Sequence, residues 1–246
     1  MKALVTGAEG SVGTALVPTL REQGWTVIAT DIDTMNVTKP AVVRRAIAES
    51  RPDVIFHLAA YKHAPAAETM PAGVAIVNVL GTENVTSIGS RYGAKIVLAS
   101  TCKAADPETV YGASKLIAER IVLNAGGVVV RYFNARDTGG NVFRLWEQVS
   151  PDEPIEWTDC WRYFISLEQA VTLTIRAASF PSGRYSLDPG PARHMKTEAR
   201  DLYPERVLRK IPRRRGDRYR EPLMAQSERC EPRDGYLTIY SPHDAP

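Results

Sequence analysis

A glycine-rich turn near the N-terminus constrains the fold more than any other stretch of the sequence. A short apolar strand covers Lys2 to Thr6, and glycines follow with the spacing Gly7-x-x-Gly10-x-x-Gly13 before a helical pattern begins. Gly7 permits a tight turn, Gly10 lets the backbone approach a pyrophosphate, and Gly13 lets the helix pack closely on the strand. The unpaired N–H groups at the start of that helix favour an anion. The turn therefore predicts a dinucleotide site containing Gly7, Gly10, Ser11, Val12 and Gly13.

Asp31 ends the second apolar strand, Trp25 to Thr30, at the distance from the glycines that suits a ribose-binding acid. Its carboxylate can accept hydrogen bonds from the hydroxyls of the adenine ribose and repels a 2′-phosphate. The next arginines along the chain are Arg44 and Arg45. We therefore predict NAD as the cofactor rather than NADP. Asp33 is a weaker candidate for this role, and either carboxylate can instead belong to a turn or a helix cap.

A third apolar run, Ile96 to Ala99, has the composition of a parallel strand that is covered on both faces. Ser100, Thr101, Cys102 and Lys103 follow it directly. Open α/β sheets bind their ligands at the carboxyl ends of the strands. These four polar residues are therefore expected at an active site.

Tyr111 and Lys115 come next, four positions apart at the expected start of a helix. This spacing places both side chains on one face of the helix, one turn apart. A phenol has a pKa of ~10 when unperturbed, and a nearby cation favours its ionised form. The pair therefore predicts a general base, since it follows a strand that ends in Ser-Thr. The alternative is a surface tyrosine with a solvated lysine.

Two other segments are expected near the same sheet edge. The strand Asp53 to His57 ends in small residues that let a dinucleotide lie across the edge, namely Leu58, Ala59 and Ala60. Lys62 and His63 lie in the following loop, where they face either a substrate or solvent. A long helix is predicted from Ala72 to Tyr92, and Asn78 in its apolar part indicates a buried amide that positions other groups.

The composition fits one large α/β domain or one domain with a small appendage. The chain has 246 residues, of which 44% are hydrophobic and 24% charged, and a net charge of +3 that does not imply a nucleic-acid partner. The cysteines Cys102, Cys160 and Cys230 show neither a disulfide framework nor metal-ligand spacing, which suits a reducing cytosol. No apolar run approaches the ~18 residues that span a bilayer. We therefore expect a cytoplasmic protein without a metal, a signal peptide or a membrane segment.

Arginine is dense from Arg193 to Arg220. Three interpretations are a diphosphate clamp, a nucleic-acid surface and solvated charge. Arginine suits bidentate phosphate binding, whereas a nucleic-acid surface would raise the pI beyond ~9, above the value of 8.7 for this chain. We favour a clamp at Arg214 or Arg215 and solvated charge at most other positions. Arg162 either binds a phosphate or forms a surface ion pair.

Together these motifs resemble the extended short-chain dehydrogenase/reductases that act on nucleotide sugars. The residues are Thr6-Gly7-x-x-Gly10-x-x-Gly13, Asp31, His57-Leu58-Ala59-Ala60, Asn78-x-x-Gly81-Thr82-x-Asn84-Val85, Ser100-Thr101 and Tyr111-x-x-x-Lys115. The chain is more closely similar to the UDP-N-acetylglucosamine 4,6-dehydratases of capsular-polysaccharide type. That likeness lies in Lys62-His63-Ala64-Pro65, Thr101-x-Lys103-Ala104, Pro107, Tyr111-Gly112-Ala113-Ser114-Lys115, Arg131-Tyr132-x-Asn134, Arg162-Tyr163-Phe164 and, more loosely, Pro212 to Arg218.

The resemblance implies a doubly wound parallel sheet of the Rossmann type with a small C-terminal substrate lobe. Residues 1–135 would form the NAD-binding core with the catalytic Tyr and Lys. Residues 136–246 would form the substrate lobe, with one helix at about 166–179 returning to the core. The resemblance also implies a homodimer or higher homo-oligomer that pairs through the helices Ala72–Tyr92 and Tyr111–Leu123. The expected partner is a nucleotide sugar, with a UDP-sugar favoured.

The resemblance also assigns chemical roles. Tyr111 would take the proton of the carbon-4 hydroxyl as NAD removes hydride, and Lys115 would hold the nicotinamide ribose and lower the pKa of Tyr111. Thr101 would hydrogen-bond the reacting oxygen, and Asn134 would meet the nucleotide sugar. Lys103 is the candidate base at carbon 5, provided that burial or a cationic neighbour lowers its pKa. Further cofactor contacts are implied for Leu58, Ala59, Ala60, Asn78 and Ser100.

The sequence departs from the dehydratase pattern at Cys102, where that family usually has an aspartate. Either the thiol donates the proton to the carbon-6 hydroxyl, or Cys102 is a small buried residue and elimination is lost. The chain is also compressed between Asp31 and Pro52 and trimmed at its C-terminal part. The compression resembles that of the dTDP-4-dehydrorhamnose reductases. The prediction is 4,6-dehydration of a UDP-N-acetylhexosamine. The alternatives are a 4-epimerase, a 4-keto reductase and a dinucleotide-binding protein without turnover. An elimination that returns the hydride to carbon 4 and leaves a 5,6-alkene is also open.

Overall fold

The computed structural model describes residues 1–139 and 141–244. Its helices are α1 (Gly13–Glu22), α2 (Pro40–Ser50), α3 (Ala64–Ala67), α4 (Pro71–Ala75), α5 (Gly81–Arg91), α6 (Val110–Asn124), α7 (Val142–Glu147), α8 (Leu167–Ala177) and α9 (Met195–Leu202). Its strands are β1 (Lys2–Thr6), β2 (Thr26–Thr30), β3 (Val54–His57), β4 (Lys95–Thr101), β5 (Val128–Tyr132), β6 (Asn134–Ala135), β7 (Ile155–Thr158), β8 (Trp161–Arg162), β9 (Phe164–Ile165), β10 (Gly183–Ser186), β11 (Arg193–His194), β12 (Leu208–Ile211), β13 (Arg229–Arg233) and β14 (Tyr236–Tyr240).

The centre of the molecule is an eight-stranded sheet in the order β13-β14-β10-β5-β4-β3-β1-β2. All neighbours from β2 to β10 pair in parallel, and β14 and β13 add an antiparallel hairpin at one edge. After β1 the chain adds β2 on one side and then β3, β4, β5 and β10 on the other. This reversal between β1 and β3 creates the crevice where such sheets bind ligands. The predicted doubly wound parallel sheet is confirmed.

Helices cover both faces of this sheet because successive strand residues point to opposite sides. Val5 and Phe56 face a core that α1 and α8 close, with Leu16 and Leu173 among its residues. Their strand neighbours face a second core under α2, α5 and α6, which contains Leu4, Ile55, Leu98, Ile47, Val85 and Val122. The uninterrupted apolar runs of the central strands follow from this coverage on both faces.

The segment predicted as a single helix from Ala72 to Tyr92 differs in the structure. It consists of α4, a π-helical turn from Ile76 to Leu80, and α5. A π-helical turn carries one more residue than the corresponding α-helical turn, and such turns occur mostly at functional sites. Asn78 lies in this turn and is buried.

The C-terminal part contributes to both the sheet and the lobe. Helix α8 packs on α1, and β10, β13 and β14 join the central sheet. The two-stranded sheets β6–β9, β7–β12 and β8–β11 lie beyond it. With α7 and α9 they surround a separate core containing Phe143, Trp146, Ile155, Trp157 and Met195. A division of the chain into two units at residue 135 stays a prediction.

A buried network of ion pairs fixes the C-terminal segment to the sheet. Arg131 on β5 and Arg184 on β10 both bind Glu119 of α6, at 2.8 and 2.9 Å. Arg131 also binds Glu228 at 2.7 Å, just before β13. Removing one partner of such a network leaves an uncompensated buried charge, which is strongly destabilising. The segment after β12 is therefore held in place where it crosses the carboxyl edge of the sheet.

Within residues 1–139 and 141–244, no helix combines the length and the apolar character needed to cross a lipid bilayer.

Candidate active site

A cleft of about 740 Å³ opens at the carboxyl edge of the parallel strands. It extends from the glycine-rich turn after β1 to the start of α6. The predicted site residues that line it are Gly7, Gly10, Ser11, Val12, Gly13, Asp31, Leu58, Ala59, Ala60, Lys62, His63, Ser100, Tyr111 and Lys115. The structure thus brings most of the predicted cofactor residues together with the predicted Tyr and Lys in one cavity.

The glycine-rich turn has the shape that a dinucleotide pyrophosphate requires. Gly7 has a φ of +67°, and a Cβ there would lie 2.7 Å from the backbone nitrogen of Ala59. A Cβ at Gly13 would lie 2.6 Å from the carbonyl oxygen of Ala8. Side chains at these positions would therefore collide with backbone, and the first turn of α1 stays open to an anion. The residues present fit a dinucleotide.

Asp31 stands at the adenosine end of the same cleft. Its Oδ2 accepts a hydrogen bond from the Glu9 N–H at 3.0 Å, and its Oδ1 accepts one from the Ile32 N–H at 2.8 Å. Each carboxylate oxygen keeps acceptor capacity for a ribose hydroxyl. The described residues lining this end are acidic or uncharged, namely Glu9, Asp31, Ile32 and Asn36. This surrounding charge disfavours a 2′-phosphate.

Lys62 lies over the glycine-rich turn, where its Nζ donates to Ser11 Oγ at 2.5 Å. The ammonium therefore lies at the glycine-rich turn, and the predicted contact of Lys62 with substrate stays a prediction. His63 lines the cleft and packs edge-on against Tyr61, with ring centroids 6.2 Å apart. Its contact with substrate stays a prediction.

Asn78 supports the cleft from behind. Its Oδ1 accepts from the Tyr61 N–H at 2.7 Å, and its Nδ2 donates to Tyr61 O at 3.0 Å and to Ser114 Oγ at 2.9 Å. These bonds tie the loop after β3 to α6. Because they engage the amide within the protein, Asn78 acts on the walls of the cleft, and the predicted direct contact with cofactor is not among its contacts.

Tyr111 is held where β4 ends and α6 begins. Thr109 caps α6 by accepting the Gly112 N–H at 3.1 Å, and a Cβ at Gly112 would collide with the carbonyl oxygen of Lys103. Burial raises the pKa of Tyr111 to about 12, while the charge of Lys103 and a hydrogen bond with Thr101 act in the opposite direction. The cation that favours the phenolate in this structure is therefore Lys103, whereas the sequence assigned that effect to Lys115.

Lys115 is buried at the back of the cleft, and its Nζ donates to the carbonyl oxygen of Ala99 at 2.6 Å. Burial lowers its pKa to about 8, although the carboxylate of Glu119 partly opposes this shift. Ser100 also contacts that carboxylate, since its Oγ donates to Glu119 Oε1 at 2.5 Å. Lys115 therefore carries its positive charge only below the mildly alkaline range.

A carboxylate that the sequence did not point to lies next to Cys102 and Lys103. Glu221 comes from the segment between β12 and β13, and its side chain is 1% exposed. Its Oε1 lies 2.7 Å from Lys103 Nζ and 3.2 Å from Arg162 Nε. Its Oε2 accepts from Asn134 Nδ2 at 2.7 Å and from the Cys102 thiol at 3.6 Å. We call these five residues the Glu221 cluster: Cys102, Lys103, Asn134, Arg162 and Glu221.

Within the Glu221 cluster, Lys103 and Glu221 shift each other's pKa toward the charged forms. Burial disfavours the carboxylate of Glu221, but Lys103 and Arg162 outweigh it and lower its pKa. Burial likewise disfavours the ammonium of Lys103, but Glu221 outweighs it and raises its pKa. The sequence required a lowered pKa for Lys103 to act as a base. At rest Lys103 is instead an ammonium ion.

Cys102 is fully buried, and its thiol points to Glu221. Burial is the largest cause that raises its pKa, to about 12, and the negative charge of Glu221 adds to it. The thiol is therefore uncharged, and its proton is directed at Glu221. The role of Cys102 as the acid at carbon 6 stays a prediction.

Arg162 makes its contacts within the protein, whereas Arg214 and Arg215 are exposed. Arg162 donates through Nη1 to the carbonyl oxygens of Trp161 and Arg218, at 2.9 and 2.8 Å. Arg214 and Arg215 are exposed on the turn after β12, and Arg214 Nε binds Asp217 at 3.2 Å. Neither Arg214 nor Arg215 lines the cleft described above. Their diphosphate clamp stays a prediction.

No group of His, Cys, Asp or Glu side chains that could hold a metal ion occurs in the part of the chain that the structure describes.

The family model of the polysaccharide biosynthesis proteins matches residues 26–240. The chain belongs to this family.

Three curated relatives illustrate the range of the polysaccharide biosynthesis family. EpsC of Bacillus subtilis, named a probable polysaccharide biosynthesis protein, is 34% identical over 151 residues, or 56% of this chain and 25% of that protein. The inverting UDP-N-acetylglucosamine 4,6-dehydratase of Campylobacter jejuni is 33% identical over 146 residues, 54% of this chain and 44% of that protein. A UDP-glucose 4-epimerase of Rickettsia felis is 30% identical over 209 residues, 76% of this chain and 61% of that protein. The chain thus spans 61% or less of each of these relatives.

Solved structures of other proteins have the same fold as this chain over most of its length. Pen from Bacillus thuringiensis has a TM-score of 0.85 and 23% identity, covering 98% of this chain and 89% of that one. UDP-glucose 4-epimerase from Thermus thermophilus in complex with NAD has a TM-score of 0.81 and 21% identity, and the match covers 91% of this chain and 90% of that one. dTDP-4-dehydrorhamnose reductase from Bacillus anthracis in complex with NADP has a TM-score of 0.79 and 20% identity, covering 90% and 88%. The resemblance to the extended short-chain dehydrogenase/reductases is confirmed at the level of family and fold.

Glu221 is the residue of this family member's site that the sequence analysis missed. It stands beyond the arginine-rich stretch and is separated from Cys102 by 119 positions. No local spacing connects the two. The available signal was the loose likeness to the dehydratases at Pro212 to Arg218, which ends three positions before Glu221.

Proposed function

We propose that this protein is an NAD-dependent nucleotide-sugar dehydratase that converts a UDP-N-acetylhexosamine into a 4-keto-6-deoxy product. The observation that carries the proposal is the position of Lys103, between Tyr111 and Glu221. Lys103 acts electrostatically on the Tyr111 phenol and forms a 2.7 Å ion pair with Glu221. A group for oxidation at carbon 4, Tyr111, lines the cleft, and an ion pair suited to proton transfer lies beside it.

The cleft supplies the contacts that a dinucleotide needs. The glycine-rich turn and Lys62 would hold the pyrophosphate, Asp31 the adenine ribose, and Lys115 the nicotinamide ribose. When bound, NAD supplies the hydride acceptor at carbon 4 and returns the hydride to carbon 6. The polarity around Asp31 supports NAD over NADP.

In the first step Tyr111 accepts the proton of the carbon-4 hydroxyl, and Thr101 hydrogen-bonds the same oxygen. The phenol must ionise for this, and its raised pKa of about 12 opposes ionisation. The charge of Lys103 works against that rise, and a positively charged nicotinamide would add to the same effect. A tyrosine tuned in this way acts as a general base at carbon 4.

The second step removes water. A ketone at carbon 4 acidifies the proton at carbon 5, and the hydroxyl at carbon 6 must leave with a proton. Lys103 is the member of the Glu221 cluster that combines an ionisable group with access, since 22% of its side chain is exposed while Glu221 is 1% exposed. We therefore place proton transfer to and from the sugar on Lys103.

A second candidate is a 4-epimerase or 4-keto reductase. The observation that favours it is the resting charge of Lys103, because an ammonium ion cannot remove the proton at carbon 5. Tyr111, Thr101 and Lys115 alone would support such redox chemistry at carbon 4. One relative and one structural neighbour are named UDP-glucose 4-epimerase, and another structural neighbour is named dTDP-4-dehydrorhamnose reductase. A dinucleotide-binding protein without turnover is the third possibility, and it requires Tyr111 to be dispensable.

A homodimer is part of the proposal. Leu80 at the end of the π-helical turn is 56% exposed and Ile117 on α6 is 49% exposed. Large apolar side chains on adjoining helices favour burial against a partner surface. The helices are the pair that the resemblance implied for dimerisation. Light scattering coupled to size exclusion gives the mass in solution, and a monomer at micromolar concentration would contradict this part.

The test is incubation of the purified protein and NAD with a panel of UDP- and dTDP-sugars, followed by mass and NMR analysis of the products. A dehydratase yields a product lighter by one water. An epimerase yields a product of equal mass with inverted carbon 4, and a reductase consumes reduced cofactor only with a 4-keto sugar. The Tyr111→Phe variant is the control, since it keeps the ring and lacks the proton acceptor. No change of any sugar would leave a binding protein as the remaining function.

A further inference from the structure

The Glu221 cluster contains a carboxylate that cannot reach a substrate itself. Glu221 is 1% exposed, and four side chains contact its two oxygens: Lys103 and Arg162 at Oε1, Asn134 and Cys102 at Oε2. Lys103 Nζ makes a further contact of 3.4 Å with Asn134 Oδ1. Of the two cations that contact Glu221, Lys103 is the more exposed, at 22% against 11% for Arg162, and we take it as the route for a proton between Glu221 and a ligand.

Lys103 has a difficulty that the cluster can resolve. The lysine is charged at rest, yet the removal of a proton from carbon 5 needs a neutral amine. The carboxylate of Glu221 lies within a short hydrogen bond of the ammonium. A transfer across this bond would turn two charged groups into two neutral ones, which burial favours.

We propose that Glu221 stores the Lys103 proton during elimination, so that one lysine both removes the proton from carbon 5 and protonates the hydroxyl that leaves carbon 6. This inference rests on the proposed function, because it concerns the water-loss step of that reaction. It makes Glu221 a positioning and proton-holding residue and leaves Lys103 as the group that touches the sugar.

The steps balance without any further reactant. A proton first moves from Lys103 Nζ to Glu221 Oε1. The carbon 5–hydrogen bond then breaks, its proton forms a new N–H bond on Lys103, and its electron pair stays on the sugar as an enolate. That pair forms the carbon 5–carbon 6 double bond as the carbon 6–oxygen bond breaks, and the oxygen leaves with a proton from Lys103 as water. Glu221 finally returns its proton to Lys103.

The other members of the cluster limit how long Glu221 stays protonated. Arg162 Nε lies 3.2 Å from the same oxygen that would take the proton, and the Asn134 amide donates to the other oxygen. Both contacts stabilise the carboxylate ion, so the proton returns to Lys103 after water has left. The uncharged Cys102 thiol also donates to the carboxylate. In this chain the carboxylate beside Lys103 thus comes from Glu221, while position 102 carries none.

The test separates the two halves of the reaction in the full-length protein. Formation of reduced cofactor reports oxidation at carbon 4, product mass reports water loss, and deuterium uptake from deuterium oxide reports proton exchange at carbon 5. In Glu221→Gln the amide keeps the size of the side chain and cannot store the proton. We expect oxidation within a few-fold of the unsubstituted protein, water loss lower by at least ~100-fold, and little deuterium at carbon 5.

Two further variants distinguish proton storage from a structural role. Glu221→Asp keeps a carboxylate on a shorter side chain. Proton storage predicts that Asp retains more water loss than Gln, whereas a role in filling space or ordering hydrogen bonds predicts the reverse order. Glu231→Gln is the control, because Glu231 is a carboxylate of the nearby strand β13 that is 44% exposed and pairs with Arg233 outside the buried network. Its ratio of water loss to oxidation should equal that of the unsubstituted protein.

Thermal unfolding and cofactor binding are measured for each variant, so that all rates refer to folded protein. Should Glu221→Gln not fold, the comparison of Glu221→Asp with Glu231→Gln still tests whether water loss falls selectively near Lys103. A Gln variant that keeps the normal ratio, or one that loses oxidation and water loss equally, would overturn the inference. An unsubstituted protein that oxidises carbon 4 and never releases water would instead overturn the proposed function, and the inference with it.

Discussion

Lys103 Nζ lies 2.7 Å from Glu221 Oε1, and this ion pair connects the end of β4 to the segment between β12 and β13. The pair has two consequences for the site. It holds Lys103 as an ammonium ion beside the Tyr111 phenol, and it brings a carboxylate to an edge where the local sequence has Cys102. Both halves of the proposed reaction therefore depend on a C-terminal segment that the buried Arg131–Glu228 pair fixes in place.

The first prediction concerns the phenol. Tyr111→Phe should reduce formation of the 4-keto sugar by about 10²- to 10⁴-fold, because no other group at this position accepts the hydroxyl proton. Binding of NAD should change little, as the ring still packs at the start of α6. Stopped-flow absorbance of the reduced cofactor and calorimetric titration with NAD measure the two effects. Full activity in the Phe variant would show that Tyr111 is not the base.

The second prediction concerns the thiol. Cys102→Ala should keep water loss within a few-fold of the normal rate, because the buried thiol points to Glu221 and has a pKa raised to about 12 by burial and by that carboxylate. The substitution should lower the free energy of unfolding by about 1 kcal/mol, because it removes one buried side-chain atom. Product mass and denaturant unfolding measure both. If oxidation persisted while water loss disappeared, the thiol would be the acid after all.

The third prediction is a pH dependence of stability from Lys115. Burial lowers its pKa from 10.5 to about 8, so between these two pH values the unfolded chain binds the proton and the folded protein does not. The free energy of unfolding therefore rises with pH across this window, by up to ~3 kcal/mol. Below about pH 8 the buried ammonium lowers the free energy of unfolding by this full amount. Lys115→Met should abolish this rise.

Urea unfolding at several pH values without cofactor measures this effect, and Lys39→Met on the exposed surface is the control. The control should follow the unsubstituted protein throughout. Parallel stability curves for Lys115→Met and the unsubstituted protein would mean that the folded state does not shift the pKa of Lys115.

The fourth prediction concerns cofactor choice. Asp31→Ala should weaken NAD binding by about 10- to 100-fold, the value of one or two hydrogen bonds to a charged acceptor, and should weaken NADP binding less. The reason is that the carboxylate attracts ribose hydroxyls and repels a 2′-phosphate. Fluorescence titration with both reduced cofactors gives the ratio, with Asp33→Ala as the matched control. Equal losses for the two cofactors would remove Asp31 as the selecting residue.

Local sequence patterns predicted the parts of the site that lie on the central strands. The glycine turn, Asp31 and the Thr101-to-Lys115 stretch each depend on residues that are close in sequence, and parallel strands bring their ends to one edge. Glu221 could not be found in this way, because its place is set by the packing of a later segment. The charge of Lys103 could not be predicted for the same reason, since its partner was unknown.

Two elements show other limits of the sequence patterns. The helix expected from Ala72 to Tyr92 contains a π-helical turn, where Asn78 bonds to Tyr61 and Ser114 across the molecule. Such tertiary bonds leave no mark on helical periodicity. The polar sequence after Cys230, which contains several prolines, predicts a tail that is partly ordered at best, yet β14 pairs with β10 and alternates buried Leu237 and Ile239 with less buried neighbours. That alternation was a readable signal of a strand.

The most direct measurement of the proposed dehydration uses a UDP-N-acetylhexosamine that carries deuterium on carbon 4. The account predicts a product lighter by one water in which the deuterium has moved to carbon 6, because the hydride taken at carbon 4 returns there after elimination. Mass and NMR spectra locate the label. A product of unchanged formula, or one that keeps the deuterium on carbon 4, would contradict 4,6-dehydration by this protein.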